Sequence, residues 1–211
     1  MNYSAYLFDF DYTLADSSKG IVKCYRIVLE RHGFNNNSDE EIKRTIGKTL
    51  EESFEILTGE NNTETLAQWR KEYTHEADQY MNINTRLFPD VMNVLEGLKK
   101  RKAKIGIIST KYRRRITNFF ADKTDENFFD IIIGGEDVTH AKPHPEGLLK
   151  AIEKLGMNPK EVLYIGDSLV DSQTAQAAGV DFGGVTTGTT TTEELAAYPH
   201  RIIMQKLSEL L

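Results

Sequence analysis

The chain has 211 residues, 39% of them hydrophobic and 27% charged, a balance that fits a soluble globular protein and excludes a disordered one. Its formal net charge is −6, with acids and bases mixed along the chain, which argues against a nucleic-acid binder and its basic patch. One cysteine, Cys24, excludes an intramolecular disulfide, and no apolar run approaches the roughly eighteen residues of a membrane-spanning helix, so a soluble cytoplasmic protein is expected.

The first apolar run, Tyr6–Phe10, reads as a short strand that ends in acid, with Asp9, Asp11 and Asp16 close together. Residues 17–82 show no convincing strand, only helical patterns at Ile21–His32, Glu40–Ile46, Leu50–Leu57 and Thr63–Met81. Such an insert is too long for a simple crossover and is expected to form a separate helical subdomain over the end of a sheet. From residue 83 the rhythm changes. Pro89 fits the first turn of a helix running to Arg101. Strands follow at Lys104–Ser109, Asp130–Ile133, Val162–Ile165, Phe182–Thr186 and Arg201–Met204, and helices at Arg113–Ala121, Pro145–Leu155 and Leu169–Ala178. Nearly continuous apolar strands alternating with helices predict an α/β fold, a doubly wound parallel sheet covered on both faces. Residues 1–16 and 83–211 are assigned to this core and 17–82 to the insert. The stretch TTGTTTTEEL, Thr186–Leu195, reads as a loop ending in a capping box, Thr191 with Glu194.

Four stretches carry chemistry. Asp9 and Asp11 stand one residue apart at the carboxyl end of a strand, where ligands bind in open α/β sheets. Asp167 and Asp171 follow the strand Val162–Ile165, with Gly166 for a tight turn and Asp171 on the same helix face four residues later. Lys142, between Ala141 and Pro143, lies in a restrained loop after a strand and before a helix. Ser109 ends the strand KIGII, followed by Thr110 and Lys111; its hydroxyl and the next N–H groups suit an anion at a helix N-terminus. Four carboxylates facing one lysine would leave three uncompensated negative charges, more than a partly buried crevice sustains. A hard divalent cation, Mg²⁺, is the expected counter-charge. His140 and His144 flank Lys142 and read as loop residues, since no third ligand is in view.

DFDYT at Asp9–Thr13, Ser109 at a strand end, Lys142 before Pro143, and GDSLVD at Gly166–Asp171 stand in the order of the four motifs of the haloacid dehalogenase superfamily, which the chain resembles over nearly its whole length. Its ADS, AKPHPE and GDSLVDSQTAQAAG are most similar to phosphoglycolate phosphatases and related pyrophosphatase-like members. The resemblance implies that Asp9 is the nucleophile and forms an aspartyl-phosphate. Asp11 is the acid that protonates the leaving oxygen, starting the cycle with a proton, and then the base that activates water. It implies that Asp9, Asp167 and the main-chain carbonyl of Asp11 bind Mg²⁺ with support from Asp171, and that Ser109, Thr110 and Lys142 hold the phosphoryl group. The insert resembles that superfamily's helical cap, in which Lys48 is a candidate anion contact. Asp11 favours phosphate chemistry, because the dehalogenase branch lacks it. Leu50 stands where related phosphoglucomutases carry Arg, which counts against a mutase. Tyr12 replaces a common Gly, and Ser109-Thr110 replaces a commoner Thr-Asn.

The expected activity is Mg²⁺-dependent hydrolysis of a small phosphorylated metabolite such as phosphoglycolate. The alternatives are an inorganic pyrophosphatase of the same superfamily, a β-phosphoglucomutase-like mutase and, last, a non-catalytic phosphate-binding protein. No nucleic-acid or membrane partner is expected, and the protein is expected to be a monomer or homodimer.

Overall fold

Ala5–Phe8 forms strand β1 in the computed structural model, which describes residues 2–211. Its side chains alternate between two cores: Tyr6 and Phe8 enter one, Ala5 and Leu7 the other, all of them buried. A strand apolar on both faces needs cover on both. The strand ends two residues earlier than the apolar pattern predicts. The N–H groups of Leu14 and Ala15 both donate to Phe10 O, so the chain turns where an extended strand would continue. Tyr12 sits in this turn at φ 59°, a left-handed conformation that costs a non-glycine residue about 1 kcal/mol or more and explains why glycine suits the position.

The chain leaves through β2 (Ala15–Asp16) and returns through β3 (Arg86–Leu87), which pair in a two-stranded sheet of their own. Between them, Asp16–Arg86 make a compact helical unit. It comprises α1 (Ser18–Arg31), α2 (Asp39–Lys43), α3 (Leu50–Thr58) and α4 (Thr63–Tyr80). Helix α1 starts earlier than its apolar periodicity suggests because Asp16 Oδ1 accepts from Ser18 N–H at 3.0 Å and Ser18 Oγ at 2.6 Å. Capping boxes at Ser38–Glu41 and Thr49–Glu52 begin α2 and α3. The unit has its own core, in which Tyr25, Phe54, Trp69 and Tyr73 pack edge-to-face or tilted.

Residues up to Ala15 and Leu87–Leu211 form the other unit. In chain order it adds α5 (Val91–Lys100), β4 (Lys104–Ile108), α6 (Arg113–Phe120), β5 (Ile131–Ile133) and α7 (Glu146–Leu155). It continues with β6 (Val162–Gly166), α8 (Leu169–Ala178), β7 (Asp181–Val185), α9 (Thr192–Ala196) and β8 (Ile202–Met204). All six long strands run parallel, in the order β5-β4-β1-β6-β7-β8. Val94, Leu98, Ile116 and Phe120 of α5 and α6 cover one face with Tyr6 and Phe8; Leu148, Ile152 and Ala175 of α7 and α8 cover the other with Leu7. The strand order reverses beside β1, which makes its carboxyl end the switch point where a ligand crevice forms.

Candidate active site

Register sets the site. Phe8 pairs with Ile107 of β4 on one side and Ile165 of β6 on the other, so Asp9, Ser109 and Asp167 leave the sheet within one residue of the same level. Asp9 N–H still donates to Ile165 O at 2.8 Å, and Ser109 N–H to Ile133 O at 3.0 Å, which fixes both side chains at the rim. Asp9, Asp11, Ser109, Lys142, Asp167 and Asp171 are all buried there.

Lys142 is the hub. Its Nζ donates to Asp171 Oδ1 at 2.6 Å and to the Tyr164 hydroxyl at 3.0 Å. It also lies 3.1 Å from Asp9 Oδ1, though not along a hydrogen-bond direction, since no hydrogen bond reaches that buried oxygen. Burial alone would lower the lysine pKa, but Asp171 and Asp9 outweigh it and hold the ammonium charged well above its ordinary range. Asp171 is saturated. Oδ1 accepts from Lys142 and from the Tyr164 hydroxyl at 2.9 Å, and Oδ2 from Ser168 Oγ at 2.6 Å and Ser168 N–H at 3.2 Å. With its lone-pair directions taken, Asp171 orients Lys142 more readily than it ligates an ion. Glycine at 166 is required for this contact, because a Cβ there would fall 2.3 Å from Asp171 Cγ.

Asp9 and Asp167 lack such compensation. Burial pushes the Asp9 carboxyl up to about 6 despite Lys142 and a hydrogen bond from Ser109. Burial, with Asp171 and Asp9 nearby, raises Asp167 well above the carboxylate range, although Thr13 Oγ1 donates to its Oδ1 at 3.1 Å. Asp9, Asp167 and Asp171 each present an oxygen within 4.8 Å of the others. A buried all-oxygen donor set with an orphaned Asp9 oxygen fits a hard divalent cation. Gly188, in the loop after β7, approaches Asp167 so closely that a Cβ would lie 2.0 Å from Oδ2. The threonine-rich stretch is therefore part of the site's wall as well as the start of α9, whose Thr191–Glu194 capping box is present.

Asp11 pairs with a different lysine. Both its oxygens accept from Lys111 Nζ, at 2.9 and 3.1 Å, and both side chains are almost fully buried. This pair corrects one expectation. The four carboxylates face two lysines, which leaves two negative charges, the number one divalent cation balances.

Ser109, Thr110 and Lys142 line a small recess with Gly134 and Gly135. Lys48 belongs to the helical unit, where its N–H donates to Thr45 O and its side chain is half-buried; the grouping above is made without it. His140 and His144 do meet a third group, Glu146, within 4.8 Å. Glu146, however, accepts from Thr139 N–H at 2.9 Å, His140 N–H at 2.8 Å and Lys150 Nζ at 2.6 Å, and its own N–H donates to His144 Nδ1. The three residues brace the loop that delivers Lys142. Lys111, Tyr164, Thr13 and Gly188 are the site residues that motif reading passes over. The register gives the signal for Lys111, three residues past the end of a strand adjacent to β1.

A family model described as haloacid dehalogenase-like hydrolase matches residues 6–185. Pyrophosphatase PpaX of Bacillus cereus is 31% identical over 212 residues, covering 100% of this chain and 96% of that protein. Phosphoglycolate phosphatase of Yersinia pestis is 30% identical over 208 residues, 97% of this chain and 90% of that one. A solved haloacid dehalogenase-like hydrolase from Bacteroides fragilis superposes with a TM-score of 0.98 at 61% identity, covering 100% of both chains.

Proposed function

This chain belongs to the haloacid dehalogenase-like hydrolases, and from that premise we propose that it is a Mg²⁺-dependent phosphatase of small phosphorylated metabolites working through a phosphoryl group on Asp9. The observation that carries the reading is the contrast between two aspartates at one strand exit. Asp9 lies in the buried carboxylate group with Lys142; Asp11, two residues on, is held separately by Lys111.

Asp9, Asp167 and the main-chain carbonyl of Asp11 would hold the ion, with Asp171 keeping Lys142 beside them. Bound there, Mg²⁺ supplies positive charge that keeps Asp9 ionised and offsets charge on the phosphoryl oxygens. An Asp9 oxygen attacks phosphorus as the bond to the leaving oxygen breaks. Lys142 has three donors and commits two of them to Asp171 and Tyr164, which leaves one for a phosphoryl oxygen; Ser109 supplies another. Asp11 gives its proton to the leaving oxygen. In the second half it takes a proton from the water that attacks phosphorus, which releases phosphate and restores Asp9.

Phosphoglycolate and pyrophosphate are the substrates to compare first, because the relatives named for them match this chain at 30% and 31% identity. The test is phosphate release from a panel containing both, with Mg²⁺ and with EDTA. EDTA and Asp9→Asn are each expected to lower turnover by about 100-fold or more, the scale of a lost electrostatic or nucleophilic contribution. Release that survives either treatment would overturn the mechanism. Conversion of glucose 1-phosphate to glucose 6-phosphate without free phosphate would replace the phosphatase with a mutase.

A further inference from the structure

We infer that Lys111 is a positioning residue for proton transfer: its ammonium holds both oxygens of Asp11 and keeps one of them when the other carries the proton exchanged with the leaving group in the first step and with the attacking water in the second. The inference rests on the reading of Asp11 as acid and base.

Asp11 lies in the turn after β1, where backbone geometry alone leaves several side-chain rotamers open. Lys111 closes that choice from the neighbouring strand. Its Nζ is 2.9 and 3.1 Å from the two Asp11 oxygens and 5.5 Å from the centroid of the buried Phe10 ring, within cation–π range. Its main chain is fixed as well. Lys111 N–H donates to Ser109 Oγ at 3.3 Å, and Lys111 O accepts from Gly135 N–H at 3.1 Å. The segment that carries the phosphoryl-binding Ser109 thus also carries the ammonium that sets Asp11, which ties the two groups to one geometry.

The exchange of protons requires only that one of these two contacts persist. When Asp11 carries a proton, its other oxygen still accepts from Lys111 while the O–H points to the leaving oxygen. Once that proton has gone to the leaving group, the freed oxygen accepts one from water, and Lys111 keeps its hold throughout.

The test compares two leaving groups. p-Nitrophenolate departs without a proton, whereas the alkoxide of an alkyl monoester requires one. Take p-nitrophenyl phosphate and the alkyl monoester hydrolysed fastest in the panel above, and measure kcat/KM for wild type, Lys111→Met, Lys111→Arg and Asp11→Ala. Lys111→Met is expected to lose about 100-fold on the alkyl ester, the scale of a general-acid contribution, and less than about threefold on p-nitrophenyl phosphate. Lys111→Arg is expected to recover most of the difference. If Lys111→Met unfolds, Lys111→Gln against Lys111→Arg makes the same comparison. Equal loss on both esters, or a raised KM on both with kcat unchanged, overturns the inference and makes Lys111 a structural or substrate-binding group. Asp11→Ala separates the two failures. If it fails to discriminate between the esters, the acid role of Asp11 falls; if it discriminates and Lys111→Met does not, only the role of Lys111 falls.

Discussion

The Tyr164 hydroxyl links three elements at one buried point. It accepts from Lys142, donates to Asp171 at 2.9 Å and reaches Ile108 O at 3.2 Å. Burial and Asp171 push its pKa well above the ordinary phenol value, so it stays neutral and available as a donor. Tyr164→Phe keeps the ring and removes only these bonds. Leaving buried partners unsatisfied costs about 1–3 kcal/mol, which lowers Tm by roughly 5 °C in a chain of this size. A partner that orients a catalytic group is expected to cost activity about tenfold as well, read as kcat/KM against the melting curve of the same variant. An unchanged Tm would mean that the ring alone matters. Residues at this scale were unevenly legible. An aspartate or lysine at a strand exit stands out because its burial demands compensation. A tyrosine inside VLYIG reads simply as a strand former, and Lys111 stands two residues past Ser109 with no acid near it in the sequence. The partner that gives Lys111 its meaning is 100 residues away in the chain.

At the level of elements, the segment between β5 and α7 delivers Lys142 and is closed by Glu146. Hydrogen bonds from Lys150 and from the Thr139 and His140 N–H groups hold the Glu146 carboxyl well below the usual carboxylate range. Because the folded protein depresses this pKa below its ordinary value of 4.5, the stabilisation is complete above that pH and fades as the pH falls beneath it. Glu146→Gln is therefore expected to melt below wild type near pH 7, with the gap shrinking below about pH 4.5. A gap constant from pH 7 to pH 3 would mean that the bonds act through shape and not through charge. Element type followed from periodicity for the six parallel strands and for α1 to α8, since apolar runs and amphipathic stripes report which faces are buried, whereas β2 and β3, two residues each, are too short to carry a pattern. Boundaries did not. Asp16 begins α1 by accepting from Ser18, and the turn onto Phe10 O ends β1, and both are local hydrogen-bond decisions that hydrophobic pattern does not register.

Over the whole molecule, the two units have separate cores, and the carboxylate group belongs entirely to the unit built on the parallel sheet. Mg²⁺ at about 100 times its Kd stabilises whatever folds around it by roughly 2.7 kcal/mol, equivalent to about 100-fold slower global opening. Hydrogen exchange is expected to show this slowing at β1 and β6, little change across residues 16–86, and reversal by EDTA or Asp167→Asn. Slowing spread evenly over both units would contradict a metal held by the first alone. Among the described residues no helix is long and apolar enough to cross a membrane. The sheet order also bears on how the protein is made. β1 is synthesised first but lies in the middle, with Ala5 paired to Lys104 on one side and Val162 on the other. The helical unit is continuous in sequence and can close while β1 still has neither neighbour, since non-local pairing waits for the chain that completes it. A nascent chain halted on the ribosome before Val162 thus holds Asp9 and Lys142 without Asp167, Asp171 or Tyr164. The first member of the carboxylate group to be translated waits longest for its neighbours.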